Sequence, residues 1–410
     1  MGWRETCVVK ERMRFAVAVE KKEESFAAVC RRYGVSRKTG YKWMERFRLN
    51  NPGSLEDRSR APLRHPQAVS GELAEECLAV RRRHPSWGPV KVRAWLDRQR
   101  PGVRWPATST IGALFDEAGL TVKRRVRHRS PPATAPFAQC SGANDVWCMD
   151  FKGWFRTGDG SRCEALTLCD AHSRYLLRCQ GVARCNEAHV WPVLDAAFRE
   201  YGLPKALRSD NGPPFASSSV GGLSRLSVKI IKAGVRPERI EPGKPQQNGR
   251  LERLHLTLLQ DTADPPAHSL RQQLRRFKDF QDLYNEERPH QALGNDVPAE
   301  HYAPSPRTWE GVLRAPSYSL AHQVRYVRQN GEIKWQGHLI FVSEVLIGEP
   351  VGLIESDAGW LITYGPIELG VIAYGSDRLR RPKTRRGLVD NASALPTKPT
   401  AQQQQQQEQI

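Results

Sequence analysis

The stretch that most narrows the possible fold is Arg208-Ser209-Asp210-Asn211-Gly212-Pro213-Pro214-Phe215. An apolar lead-in, Leu203 to Leu207, runs into an aspartate followed at once by Asn-Gly, a pair that tolerates positive φ and marks a tight turn. This predicts a carboxylate at the C-terminal tip of a strand. Strand tips of open α/β sheets are where chemistry collects. Read alone, Asp210 caps a turn and does nothing more. Two further acidic stretches, one upstream and one downstream, change that reading.

From Asn144 the sequence takes on strand character. Val146 to Phe155 is aromatic and β-prone, Gly158-Asp159-Gly160 reads as a hairpin turn, and Ala165 to Asp170 and Tyr175 to Leu177 follow as strands. Side chains alternate along a strand, so Val146, Cys148 and Asp150 share one face and Trp147, Met149 and Phe151 the other. A charged Asp150 in so apolar a strand is costly unless it is paired, hydrogen-bonded or bound to metal. Helices are predicted over 187–201, 223–234, 247–261 and 269–286, with strands at Ala206 to Asp210 and Arg239 to Glu241. Antiparallel strands followed by alternating helices and strands make an α/β layered domain. Glu252 lies near the start of helix 247–261. Two strand carboxylates and one helix carboxylate can converge on Mg²⁺ or Mn²⁺, which take oxygen ligands. Two such ions serve phosphoryl transfer.

The N-terminal third is built differently. Helices are predicted over 5–22, from Ser25 to Tyr33, and from Ser36 to about Arg48, with Gly34 breaking the chain between the last two. That order, with a Ser-capped basic final helix, is the helix-turn-helix pattern. Arg37, Lys38 and Lys42 stand near the start of that helix, where groove-facing side chains sit, and are candidate DNA contacts. Gly40 is unusual inside a recognition helix, and an ordinary three-helix bundle is the alternative. A second helical unit follows: Glu72 to Arg83, a Pro85-Ser86-Trp87-Gly88-Pro89 turn, a helix from Pro89, and a last helix capped by Thr108 or Ser109 with Gly119 after it. Residues 1–143 hold 29 Lys/Arg against 14 Asp/Glu, whereas 144–300 hold 22 against 20. An excess so placed favours a polyanion, with double-stranded DNA as the expected partner. The run containing Lys123, Arg124, Arg125 and Arg127 reads as a linker along the DNA backbone or as a solvated charge run.

Residues 318–375 carry short β-prone runs separated by turns such as Asn330-Gly331, which predicts a small β-barrel of about five strands. Six glutamines, Gln402 to Gln407, sit in a tail too polar to pack. The nine cysteines include no CxxC pair, so reduced thiols are expected and a zinc site is not. No apolar run reaches membrane-spanning length and no signal core opens the chain, so the expected location is the cytoplasm. The expected organisation is a helix-turn-helix domain at 1–50, a linker at 51–70, a second helix-turn-helix unit at 71–122 and a basic linker at 123–143. A catalytic core at 144–304, a small β-barrel at 315–380 and a disordered tail at 381–410 complete it.

Taken together, Val146-Trp147-Cys148-Met149-Asp150, Ser209-Asp210-Asn211-Gly212-Pro213-Pro214-Phe215 and Pro245-Gln246-Gln247-Asn248-Gly249-Arg250-Leu251-Glu252-Arg253 resemble the DDE integrase and transposase core. They are most similar to bacterial insertion-sequence transposases with a retroviral-integrase-like catalytic domain. Tyr284-Asn285-Glu286-Glu287-Arg288-Pro289-His290-Gln291-Ala292-Leu293 is similar to the motif that closes this core. The resemblance covers roughly residues 5 to 300. It implies a ribonuclease-H-like fold, Asp150, Asp210 and Glu252 as a metal triad, and cleavage and joining of DNA at element ends, on terminal inverted repeats and target DNA. A homo-oligomer associated with the nucleoid is also expected, because two ends must be joined.

Members of that family commonly place about 35 residues between the second aspartate and the glutamate, and here the excess is assigned to Ser217–Ser224 as a surface loop, since extra loop length adds little closure cost. In this chain 41 residues intervene. Glu238 and Glu241 are rival third ligands without a helical frame, and Asp170, just before a turn, is read as a support residue. Lys244, Arg250 and Arg253 flank the triad as phosphate contacts or as solvated surface. His255, three residues after Glu252, is placed near DNA or behind the triad. A DNA-binding repressor or transposon remnant and a structure-selective nuclease are the competing functional classes.

Overall fold

Serine caps and one glycine turn set the first helices. The computed structural model describes residues 7–49, 53–57, 69–121, 140–240 and 249–381. It divides into two compact units, Met1–Ala68 and Val69–Ile410. The first contains α1 (Val8–Glu20), α2 (Phe26–Arg32) and α3 (Arg37–Arg48). Ser25 Oγ accepts from the Ala28 N–H at 3.3 Å and Ser36 Oγ from the Thr39 N–H at 3.1 Å, satisfying orphan donors at both helix starts. Gly34 takes φ +65°, open to glycine at little strain, and turns α2 into α3. Phe15, Ala16, Val29, Cys30, Trp43 and Met44 fill the centre. Gly40 belongs to that packing. A Cβ there would lie 2.8 Å from Cys30 Sγ and 3.0 Å from the Phe15 and Phe26 rings, so α3 approaches its neighbours closely at this point.

The second unit begins with α4 (Gly71–Arg83), α5 (Pro89–Gln99) and α6 (Thr108–Glu117), packed around Trp87, Leu96, Trp105, Ile111 and Phe115. Pro89 occupies the first turn of α5 as expected. The cap expected from Thr108 or Ser109 does not form: Ala107 is the N-cap of α6, without a side-chain bond.

Beyond Cys140 come β1 (Val146–Arg156), β2 (Arg162–Asp170), β3 (Leu176–Val182), α7 (Glu187–Tyr201), β4 (Ala206–Ser209), α8 (Arg225–Lys232), β5 (Arg236–Arg239), α9 (Gly249–Leu258) and α10 (Leu270–Asp282). The sheet order is β3-β2-β1-β4-β5, antiparallel from β3 to β1 and parallel from β1 to β5. Strand alternation assigns the two faces. Trp147, Met149 and Leu207 pack under α7 and α8 with Val190, Leu194, Phe198 and Ile230. Val146, Cys148 and Ala206 pack under α9 and α10 with Leu251, Leu254, Leu258 and Phe277. The outer edge of β3 is held by amide side chains: Asn285 accepts from the Leu176 N–H at 2.8 Å and donates to its carbonyl at 3.0 Å, and Gln281 donates to the Leu177 carbonyl at 3.0 Å.

The segment expected to loop out at the surface is partly buried. Val220 and Leu223 join α8 residues Val228 and Ile231 beneath the C-terminal strands. Those strands are β6 (Gln323–Tyr326), β7 (Glu332–Trp335), β8 (His338–Phe341), β9 (Pro350–Ser356), β10 (Gly359–Tyr364), β11 (Ile367–Ile372) and β12 (Leu379–Arg380). They form an antiparallel sheet of order β12-β11-β10-β9-β6 and a separate β7-β8 hairpin. Among the described residues no ladder closes them into the expected barrel. The hairpin pairs only with itself and contributes Ile333, Trp335 and Ile340 to a core shared with Leu353, Ile362 and Tyr364. No helix of the described residues is long and apolar enough to cross a membrane. The basic linker residues Lys123, Arg124, Arg125 and Arg127, the flanking Lys244 and the glutamine tail lie outside the described residues.

Candidate active site

The face covered by α9 carries the expected carboxylates. β1 and β4 run parallel, with Val146 abreast of Ala206 and Cys148 abreast of Arg208. Asp150 and Asp210 each stand two residues beyond the Cys148–Arg208 pair, on adjacent chains. Strand neighbours are about 4.8 Å apart. β4 ends at Ser209, so Asp210 is the first residue past it, and its Oδ1 accepts from the Gly212 N–H at 3.1 Å. The turn role anticipated for Asp210 is thus present, and it leaves the second carboxylate oxygen without a bond from that turn. Asp150 is half-buried and accepts from the Phe151 N–H at 2.8 Å. Glu252 is exposed in the first turn of α9, where the positive end of the helix favours an anion.

The electrostatics link the three. Burial first, and then the neighbouring Asp210 and Glu252 charges, push the Asp150 carboxyl up to about 7 against the opposing Phe151 N–H and Lys152. Asp150, raised by burial and by its like-charged neighbours, stands with Asp210 and Glu252 as an all-oxygen set of the kind a hard divalent cation takes. Their ligand atoms do not all come within 4.8 Å of one another. Lys152 is an addition to the residues anticipated from sequence. It lies two positions along β1 from Asp150, and alternation would have pointed to it.

A buried tie fixes α9 over this face. Thr167 stands opposite Asp150 in the β1–β2 ladder. Its hydroxyl lies 2.7 Å from His255 Nε2 and 3.3 Å from the Asp150 carbonyl. His255 is 5% exposed, and burial together with Lys152 lowers its pKa to about 4, so the ring is neutral at neutral pH. His255 therefore lies behind the carboxylates rather than on the outer surface. Thr167 is not marked out by the sequence. A hydroxyl directly across from Asp150 is its only signal.

The rival carboxylates are committed elsewhere. Asp170 is fully buried and accepts from the Asn144, His172 and Ser173 N–H groups and the Ser173 hydroxyl, holding the turn after β2. Glu238 Oε2 pairs with Arg208 at 3.0 Å and its Oε1 with Arg236 at 2.7 Å. Glu241 lies outside the described residues. A separate group, Asp296, Glu300 and His301, is exposed. Its Glu300 is engaged by Arg98 and its Asp296 by His301 at 3.0 Å.

Arg37, Lys38 and Lys42 are exposed on α3, with Lys42 Nζ 4.7 Å from the Trp43 ring. Tyr41, between them and 63% exposed, stacks on Phe26 at 4.3 Å and adds an aromatic to that surface. Arg253 is exposed on α9, and Arg250 lies in its first turn.

Models of known families match much of the chain. Integrase core domain models match residues 141–245 and 233–298, a helix-turn-helix domain model residues 11–62, and a homeodomain-like domain model residues 39–115. The chain is 28% identical over 263 residues to the insertion element IS476 uncharacterized 39.2 kDa protein of Xanthomonas euvesicatoria, spanning 63% of this chain and 73% of that one. It is 30% identical over 195 residues to the insertion element IS407 uncharacterized 31.7 kDa protein of Burkholderia multivorans, spanning 47% and 68%. Among solved structures, the simian T-cell lymphotropic virus intasome in complex with PP2A regulatory subunit B56 gamma shares 14% identity over 64% of this chain and 90% of that chain, with a TM-score of 0.34.

Proposed function

The chain belongs to the insertion-sequence transposases that carry an integrase core, DDE-type polynucleotidyl transferases, and on that premise we propose that Asp150, Asp210 and Glu252 are its catalytic triad. The observation that carries this reading is the electrostatic one: burial, Asp210 and Glu252 together push the Asp150 carboxyl up to about 7. These three residues would hold two Mg²⁺ or Mn²⁺ ions, which supply activation of the attacking oxygen and charge neutralisation at the leaving oxygen. The protein's own part is placement. The β1–β4 pairing sets the two aspartates abreast, and the Thr167–His255 tie keeps the helix of Glu252 over them.

The reaction runs in two displacements at phosphorus. Water attacks at an element end, forming one P–O bond, breaking one and freeing a 3′-OH. That hydroxyl then attacks a target phosphate and displaces the target's 3′-oxygen, so bonds balance without an external energy source. In the first unit, Arg37, Lys38 and Lys42 on α3 contact the terminal inverted repeats. Lys123, Arg124, Arg125, Arg127, Lys244, Arg250 and Arg253 follow the DNA backbone. The domains are a helix-turn-helix domain at 1–50, a second such unit at 71–122, a catalytic core at 144–304 and a C-terminal β domain at 315–380. Joining two ends calls for at least a dimer acting on chromosomal DNA in the cytoplasm.

The test uses Glu252→Gln with labelled inverted-repeat DNA and Mg²⁺. Intact end binding with no nicking and no joined product is the expected outcome, and nicking at the wild-type level would remove Glu252 from the triad. In the wild type, cleavage without joining would favour a nuclease, and binding alone a repressor.

A further inference from the structure

Helices α4–α6 meet the catalytic domain through charge as well as through apolar packing. Leu283, just past α10, packs on their core. Arg288, from the motif that closes the catalytic domain, is 4% exposed at this junction. The guanidinium's contacts among the described residues are long: 3.5 Å to Asp261, 3.3 Å to Ser86 Oγ and 3.5 Å to Thr257 Oγ1. Lys91, on α5, is half-buried and has no hydrogen-bond or ion-pair partner among the described residues. Arg253, the residue after Glu252, is exposed on α9. Burial first, and then the Arg288 and Arg253 charges, bring the Lys91 ammonium down to about 7, with Asp261 the one opposing carboxylate. Three cations therefore face a single anion.

Two imidazoles border the same cluster. Arg288 acts on both His84 and His290, and Lys91 acts on His290. Both rings are held neutral, and each has a buried Nε2 with no hydrogen-bond partner among the described residues. Half-buried charge without a partner and buried ring nitrogens without a bond both destabilise the free protein. An anion carrying several acceptor oxygens would relieve the first of these, the half-buried charge.

We propose that Lys91, Arg253 and Arg288 form a binding site for a backbone phosphate of DNA, shared between α5 of the N-terminal helical unit and α9, the helix of Glu252. The site rests on the transposase reading and adds to it a physical link between the unit at 69–121 and the catalytic helix. Such a phosphate is held on α9 through Arg253, the residue after Glu252. The neutralising contact forms only when DNA is bound.

The test compares full-length wild type, Lys91→Met and Lys91→Arg for binding to a fluorescein-labelled mixed-sequence duplex over a salt series, with chelator present. Lys91→Met is expected to lower the slope of log affinity against log salt by about 0.9, the increment for one phosphate contact, and Lys91→Arg to retain it. The Met variant is also expected to melt at or above the wild-type temperature, because it removes a half-buried charge that has no partner. Arg253→Gln, at an exposed position that does not bear on folding, is expected to lose the same increment. An unchanged slope in both Lys91→Met and Arg253→Gln, with Glu252-dependent nicking intact, overturns the site and leaves the functional reading standing. A lower melting temperature for Lys91→Met overturns it too, since Lys91 would then have its partner inside the protein. Wild-type protein without salt-dependent duplex binding overturns both site and reading.

Discussion

Replacing Asp150 by asparagine should make the metal-free protein more stable, and the size of the effect follows from the site. The Asp150 carboxyl titrates near 7 instead of the ordinary 3.8. Between those values the folded protein holds a proton that the unfolded chain releases. Stability therefore falls as pH rises from about 4 to about 7, and the penalty is complete above 7. At 1.36 kcal/mol per pH unit the full penalty is about 4 kcal/mol, reduced to about 2–3 kcal/mol by partial solvent access. The Asp150→Asn side chain would keep an acceptor for the Phe151 N–H while removing the charge. Urea unfolding followed by tryptophan fluorescence, with chelator present, should show the variant's midpoint raised by about 1 M at pH 8. The two proteins should coincide near pH 4. Mg²⁺ should stabilise the wild type by about 2.7 kcal/mol at a hundred times its Kd and leave the variant nearly unmoved. Equal midpoints at pH 8 without metal would refute the premise that burial and the neighbouring carboxylates disfavour a charged Asp150.

Two further outcomes follow from packing. Gly40→Ala should destabilise the first unit by about 1–3 kcal/mol, because the added methyl must displace Cys30, Phe15 and Phe26. Thermal unfolding with end-binding titrations checks this, and a variant as stable as wild type would contradict the close approach of α3. Thr167→Val should lower stability by about 1–3 kcal/mol in urea unfolding by leaving His255 Nε2 buried without a partner, and Thr167→Ser should restore it.

Much of the core is legible in the sequence because its signals are local. Period-two alternation puts Asp150 on the face opposite Trp147, and Asp-Asn-Gly fixes where β4 stops. What escapes depends on neighbours distant in sequence. Gly40 is anomalous in α3 until the rings it meets on α1 and α2 are considered. Ser217–Ser224 reads as solvent-facing from its serines and glycines, yet Val220 and Leu223 are buried under strands some 130 residues further on. β5 is expected around Ile240, whereas the strand is Arg236–Arg239, a stretch of poor β propensity set by pairing with β4 and by the Arg208–Glu238 ion pair. The C-terminal strands are visible one by one, but whether their ends meet is decided by pairing that no local pattern encodes. The Lys91–Arg253–Arg288 cluster is likewise a product of tertiary contact alone.

The amides on the outer edge of β3 bear on how copies of this protein can come together. An open strand edge is a template on which another chain can add. Here Asn285 and Gln281 occupy the Leu176 N–H and the Leu176 and Leu177 carbonyls that an incoming strand would need. Growth of the sheet from one copy into the next along this stretch is therefore blocked while α10 and the turn after it stay seated. Assemblies of the folded protein are left to build through helical faces or through shared DNA, and aggregation by strand exchange at this edge must wait until those amides are peeled away.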